Sequence, residues 1–192
     1  MKYLLICVIA YIIGSIPAGY AIGKIFFKQD IRKMGSGNVG STNALRNFGK
    51  LAGLGTFLFD FSKAIVACII GNKIAGENGL YLAMFFVVIG HMYSFILNFK
   101  AGKGIATIFG ALVYINPIFA LTLFAIFLAV VLTSRIVSLA SISAALVAIF
   151  YGLYKFGITN FTICLVILAL LILYKHKDNF KRLVKGEEKK IF

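Results

Sequence analysis

The stretch GSGNVGSTN, Gly35 to Asn43, sets three glycines among five short hydrogen-bonding side chains. Gly35, Gly37 and Gly40 permit backbone conformations closed to other residues and leave N–H groups open to a ligand. Ser36, Asn38, Ser41, Thr42 and Asn43 supply hydroxyls and amides, and Ser41, Thr42 or Asn43 suits the cap of a helix running into the next apolar run. With Arg46 about one turn further on, the composition suits a phosphate. A flexible membrane-surface loop with an ordinary cap is the plainer alternative. KAGKG (100–104) is a second stretch of this kind, with Gly102 and Gly104 around Lys103. It is not a P-loop, because the spacing G-x-x-x-x-G-K-[ST] is absent. In the tail, His176, Asn179 and Arg182 or Leu183 follow helical spacing, so an imidazole, an amide and a guanidinium can share one face. A basic segment bound to anionic lipid accounts equally for the tail's many lysines.

Absences narrow the chemistry. The six carboxylates and two histidines include no His followed five residues later by Asp, which excludes the His-Asp base of the common soluble-faced glycerolipid acyltransferases. With so few carboxylates, any reaction here relies on an activated substrate, the protein supplying anion binding and orientation. The three cysteines lie far apart inside apolar runs, which suggests neither disulfides nor a metal site. Asp60 and Lys63, at i,i+3 spacing inside an apolar run, fit a mutually satisfied pair or a proton-coupled transport site. His91 reads as a packing histidine.

These groups need elements to hold them. The chain has 192 residues, 61% of them hydrophobic, with a net charge of +14 and a mean hydropathy of +0.97. That combination describes a polytopic all-α membrane protein, taken as one domain over 1–192. In such a chain the charge is explained first by basic cytoplasmic loops, without nucleic acid. Runs free of charge, apart from Asp60 and Lys63, cover 3–23, 51–72, 78–99, 104–134, 136–154 and 156–174. The fourth would make a helix of about 46 Å against a hydrocarbon core of about 30 Å. Asn116-Pro117 is a turn signal that splits it into Gly104 to Ile115 and Pro117 to Ser134. Seven spans result, and one side then holds 16 of the 20 Lys and Arg residues. The positive-inside rule places that side in the cytoplasm, with the N-terminus outside and the C-terminus cytoplasmic. Every glycine-rich or polar stretch, SRIVSLAS (134–141) included, then falls on the cytoplasmic face and can meet the others at one end of a bundle.

GSGNVGSTNALR, KAGKGIAT and HKDNFKRLVKGEEKK, in this order on one face, resemble the three signature motifs of the bacterial PlsY family, the membrane glycerol-3-phosphate acyltransferases that use acyl phosphate. GSIPAGY (14–20), FDFSK (59–63) and GHMYSFILNFKAGKG (90–104) support the likeness. Ala101 and Ala64 stand where that family usually has glycine. The resemblance implies acyl transfer from acyl phosphate to sn-glycerol 3-phosphate, giving lysophosphatidic acid and phosphate. It further implies seven helices in the bacterial inner membrane, a cytoplasmic active site, no metal or organic cofactor, and a soluble enzyme that delivers acyl phosphate. The groups it implies for chemistry are Ser36, Arg46, Lys103, His176 and Asn179. For substrate phosphate it adds Gly35, Gly37, Asn38, Thr42, Asn43, Gly102, Gly104, Arg182, Gly186 and Glu188. The first loop with Arg46 would hold one phosphate, and Lys103 with His176 and Asn179 the other. A small transporter built on Asp60 and Lys63, or a scaffold bound to acidic lipid, remains the competing reading.

Overall fold

The structure is a computed structural model and describes residues 1–191, all in helices, turns and loops. It divides into two compact units, Met1–Tyr114 and Ile115–Phe192. In the first, α1 (Lys2–Ser15) and α2 (Ala18–Phe26) are separated at Ile16-Pro17, because proline cannot donate to the helix ladder. A 3-10 turn at Ile31–Lys33 leads to the short helix α3 (Ser41–Phe48), then α4 (Lys50–Met92), a 3-10 turn at Phe95–Leu97 and α5 (Ile105–Ile115). α4 is not straight. Ala75 and Gly76 leave helical geometry, Gly76 with φ 59°, and Gly71 packs directly on Gly79. Eight residues of straight helix would separate those two by about 12 Å, so the chain reverses there and α4 is a hairpin of two arms. Both arms pack on α1 and α2: Gly14 lies against the backbone of Val87, and Gly19 touches Thr56.

In the second unit α6 (Pro117–Ser134), α7 (Val137–Phe156) and α8 (Asn160–Lys175) pack in succession, and α9 (Lys177–Val184) lies against α7 and α8. The Asn116 side chain accepts from the Phe119 N–H at 3.0 Å, so the break expected at Asn116-Pro117 is a capped helix start. Phe119 is the centre of this unit, with Tyr151 and Phe156 at ring separations of 5.5 and 5.4 Å. Thr159 caps α8 through a reciprocal pairing with Thr162, a capping box.

Large apolar side chains such as Leu4, Leu121, Phe150 and Leu170 point outward, as in a multi-pass protein whose solvent is lipid. The count of seven spans is corrected. Among the described residues four stretches are long and apolar enough to cross, Lys2–Phe26, Lys50–Leu97, Pro117–Ser134 and Val137–Phe156, and the bent pair α8–α9 makes a fifth. Two expected spans do not stand as separate long helices: 51–72 and 78–99 are the two arms of the hairpin inside the stretch Lys50–Leu97, and the 11 residues of α5 extend only about 16 Å.

Candidate active site

The first loop is held by one side chain. Asn43 is buried, with 2% of its surface exposed. Its Nδ2 donates to the carbonyls of Asn38 at 2.8 Å, Met34 at 3.1 Å and Ile31 at 3.3 Å. Its Oδ1 accepts from the Ser36 N–H at 3.0 Å and from Asn47 Nδ2 at 2.9 Å. Gly35, with φ 55°, passes so close to Asn43 and Asn47 that a Cβ would overlap them. Asn43 is therefore the loop's internal tie, not a ligand facing outward. The expectation of open backbone donors is corrected as well: the Gly37 N–H donates to the Met34 carbonyl and the Gly40 N–H to Asn38 Oδ1, at 2.9 and 2.8 Å. What the loop presents is side chains. Ser36 is exposed and Thr42 half-buried.

None of Ser41, Thr42 and Asn43 caps a helix into the membrane. They are the first residues of α3, whose N-cap is Gly40, and α3 ends at Gly49 (φ 89°) before α4 begins. Arg46, exposed, lies in the last turn of α3. On the flank, Arg32 pairs with Asp30 at 2.7 Å, and this hydrogen bond holds the Asp30 carboxyl down at about 2.

The second loop meets the first. Leu97 is buried with Ile31, Val39 and Ala44, and Ala101 packs on the same cluster, so the two glycine-rich stretches share one small core. A cleft of about 490 Å3 opens beside them, lined by Asp30, Arg32, Lys33, Gly37, Asn98 and Lys100 among others. Lys103 is half-buried between Gly102 and Gly104, both buried. The Gly102 N–H donates to the His91 carbonyl at 3.0 Å, and Gly104, with φ 88°, lies against Met92.

The third stretch organises the second unit around Glu188. One carboxylate oxygen accepts from Asn179 Nδ2 at 2.6 Å and from the Ser138 hydroxyl at 2.8 Å; the other accepts from Arg182 Nε at 2.6 Å. Gly186, with φ 70°, turns the chain back after α9 so that Glu188 can reach this point. Burial pushes the Glu188 carboxyl up, but the three hydrogen bonds together outweigh it and hold the group below its ordinary value. Ion-paired with Arg182, the Glu188 carboxylate orients that guanidinium and the Asn179 amide. His176 sits at the 55° bend between α8 and α9, 3% exposed, with Nδ1 2.8 Å from the Ile172 carbonyl. A carbonyl only accepts, so Nδ1 carries a proton and Nε2 of the neutral ring is an acceptor. Sequence reasoning missed Asn47, Ser138 and the partnership of His91 with Asp60 and Lys63. Ser138 had a signal in the polar stretch SRIVSLAS; Asn47 had only its i+4 spacing from Asn43.

The family model described as glycerol-3-phosphate acyltransferase matches residues 4–186. The glycerol-3-phosphate acyltransferase of Finegoldia magna is 43% identical over 192 residues, covering 98% of this chain and 96% of the relative. The crystal structure of PlsY (YgiH), an integral membrane glycerol 3-phosphate acyltransferase, in its glycerol 3-phosphate form superposes with a TM-score of 0.93 at 36% identity, covering 99% of this chain and 96% of that one. Its lysophosphatidic acid form gives 0.90 at 35% identity, covering 99% and 95%.

Proposed function

The chain belongs to the glycerol-3-phosphate acyltransferase family and is an acyltransferase, and from that premise we propose that it moves a fatty acyl group from acyl phosphate to sn-glycerol 3-phosphate, releasing lysophosphatidic acid and inorganic phosphate. The observation that carries this reading is the shared core of the two glycine-rich loops, which holds two cation-bearing stretches, one with Arg46 and one with Lys103, side by side. Solved relatives in glycerol 3-phosphate and lysophosphatidic acid forms support substrate and product.

The glycerol oxygen attacks the acyl carbonyl carbon, the bond from that carbon to the phosphate oxygen breaks, and the departing phosphate takes the hydroxyl proton. A mixed anhydride is already activated, so the protein's task is orientation and charge stabilisation. Arg46, with the Ser36 hydroxyl and Thr42, holds one phosphate, the planar guanidinium suiting two phosphate oxygens. Lys103 holds the other as a point charge. The reaction takes place on the cytoplasmic face of the bacterial inner membrane, where the basic loops lie under the positive-inside rule, and a soluble enzyme supplies the labile acyl phosphate there.

Purified protein in detergent, given palmitoyl phosphate, is expected to release phosphate only when glycerol 3-phosphate is added, with lysophosphatidic acid as product and no turnover of palmitoyl-CoA. Absence of turnover by folded protein with either donor would remove the proposal and return weight to a transporter. The proton route has its own test. His176→Gln keeps a polar group near Nε2, so its turnover is expected to fall by only about 10-fold, since a general base is worth roughly 100-fold or more. A loss of several orders of magnitude at unchanged KM would make His176 the base.

A further inference from the structure

The buried cluster of Asp60, Lys63 and His91 has no part in the chemistry above, yet it joins three elements. Lys63 Nζ donates to Asp60 Oδ1 at 2.6 Å and to the Ile16 carbonyl at 2.9 Å, where the α1–α2 break leaves that oxygen without a helical partner. His91 Nδ1 lies 3.1 Å from Lys63 Nζ and 3.3 Å from Asp60 Oδ1. All three side chains are nearly inaccessible. The two arms of the α4 hairpin are thus locked level with each other and with the break in the first span.

The other edge of the His91 ring faces the second loop. Gly102 rests on Nε2 so closely that a Cβ would overlap the ring, and its N–H donates to the His91 carbonyl. The orientation of the imidazole, set at Nδ1, therefore decides how near the Gly102 backbone can come. Lys103 is the next residue. A buried ion pair is weak support for stability, since well-packed apolar residues often replace one without loss, so stability alone does not account for this cluster.

We propose that Asp60, Lys63 and His91 are positioning residues that fix the His91 ring as the seat of the Gly102–Gly104 segment, and so set the reach of Lys103 toward its anionic substrate. The role of Lys103 rests on the acyltransferase reading; the seating of the loop does not.

The test is a double-mutant cycle on the full chain in detergent, with kcat and KM for glycerol 3-phosphate at saturating palmitoyl phosphate. Gly102→Ala is expected to lower kcat/KM about 30-fold by driving the loop off the ring, and His91→Ala about 10-fold by removing the seat; in the double variant alanine clears the space, so the loss stays near about 10-fold. Fully additive losses, about 300-fold, overturn the proposal. Deuterium exchange supplies a readout that does not need activity. In Lys63→Met, still folded by its melting temperature, the amides of 100–104 are expected to exchange about 10-fold faster than in the parent, and unchanged exchange overturns the seating. An inactive parent protein would sink the acyltransferase reading, while the exchange result still judges the loop.

Discussion

Asn43→Ala is expected to lower kcat/KM by more than about 100-fold, because it releases the loop that carries Ser36 and leads into the helix bearing Arg46. Five hydrogen bonds converge on this one side chain, three given and two received. Alanine leaves the carbonyls of Ile31, Met34 and Asn38 and the Ser36 amide without it, the Ile31 carbonyl buried and the others part-buried. Unmet buried groups cost roughly 1–3 kcal/mol each, and partial relaxation of an exposed loop brings the expected global loss to about 2–3 kcal/mol. Asn43→Asp sharpens the argument: it keeps the acceptor facing Ser36 and Asn47 but turns a carboxylate toward three carbonyl oxygens, so it is expected to do no better than alanine. Turnover of the purified variants, with their melting temperatures, checks both. Near-parental kinetics in either would show that the loop does not need its internal tie.

Glu188→Gln is the second large effect. The carboxylate accepts from three donors, and an amide cannot do so. Whichever way the amide is turned, its NH2 faces either Arg182 Nε–H or the Asn179 NH2. Turnover is expected to fall about 100-fold in a folded protein, as positioning of Asn179 and Arg182 is lost. The pH dependence follows from the sign of the shift. The Glu188 carboxyl in the folded chain lies below the ordinary value of 4.5, so its contribution is complete above that pH and disappears as the pH falls through the lowered value. Melting temperature followed from pH 7 down through the acid range should show a loss below about pH 4.5 that Glu188→Gln lacks. Parallel curves for parent and variant would mean that the carboxylate carries no such linkage.

The corrections share a direction. The first loop looked like a nest of open amides with helix-capping side chains, and it is a closed loop that takes up its own amides, Ser36 on Asn43, Gly40 on Asn38 and Gly37 on the Met34 carbonyl. Glu188 looked like one polar group among several in a phosphate-binding tail, and it is the acceptor that holds Ser138, Asn179 and Arg182 together. In each case the residue type was read as polar, while its partner was not foreseen.

Element by element, the sequence by itself determined what local forces determine: an all-helical membrane chain, the break at Asn116-Pro117, and the three stretches rich in anion-binding types. Proline geometry, apolar run length and glycine freedom act within a few residues, so they can be read along the chain. Tertiary structure alone decided that the two arms of α4 meet at Gly71 and Gly79, and that Asn43 ties its loop inward. Only it joined Lys63 to His91 across 28 residues and Ser138 to Glu188 across 50. Such pairings depend on which buried donor finds an acceptor once helices pack, and in a low-dielectric interior most such groups find one. No spacing rule carries that information over those distances.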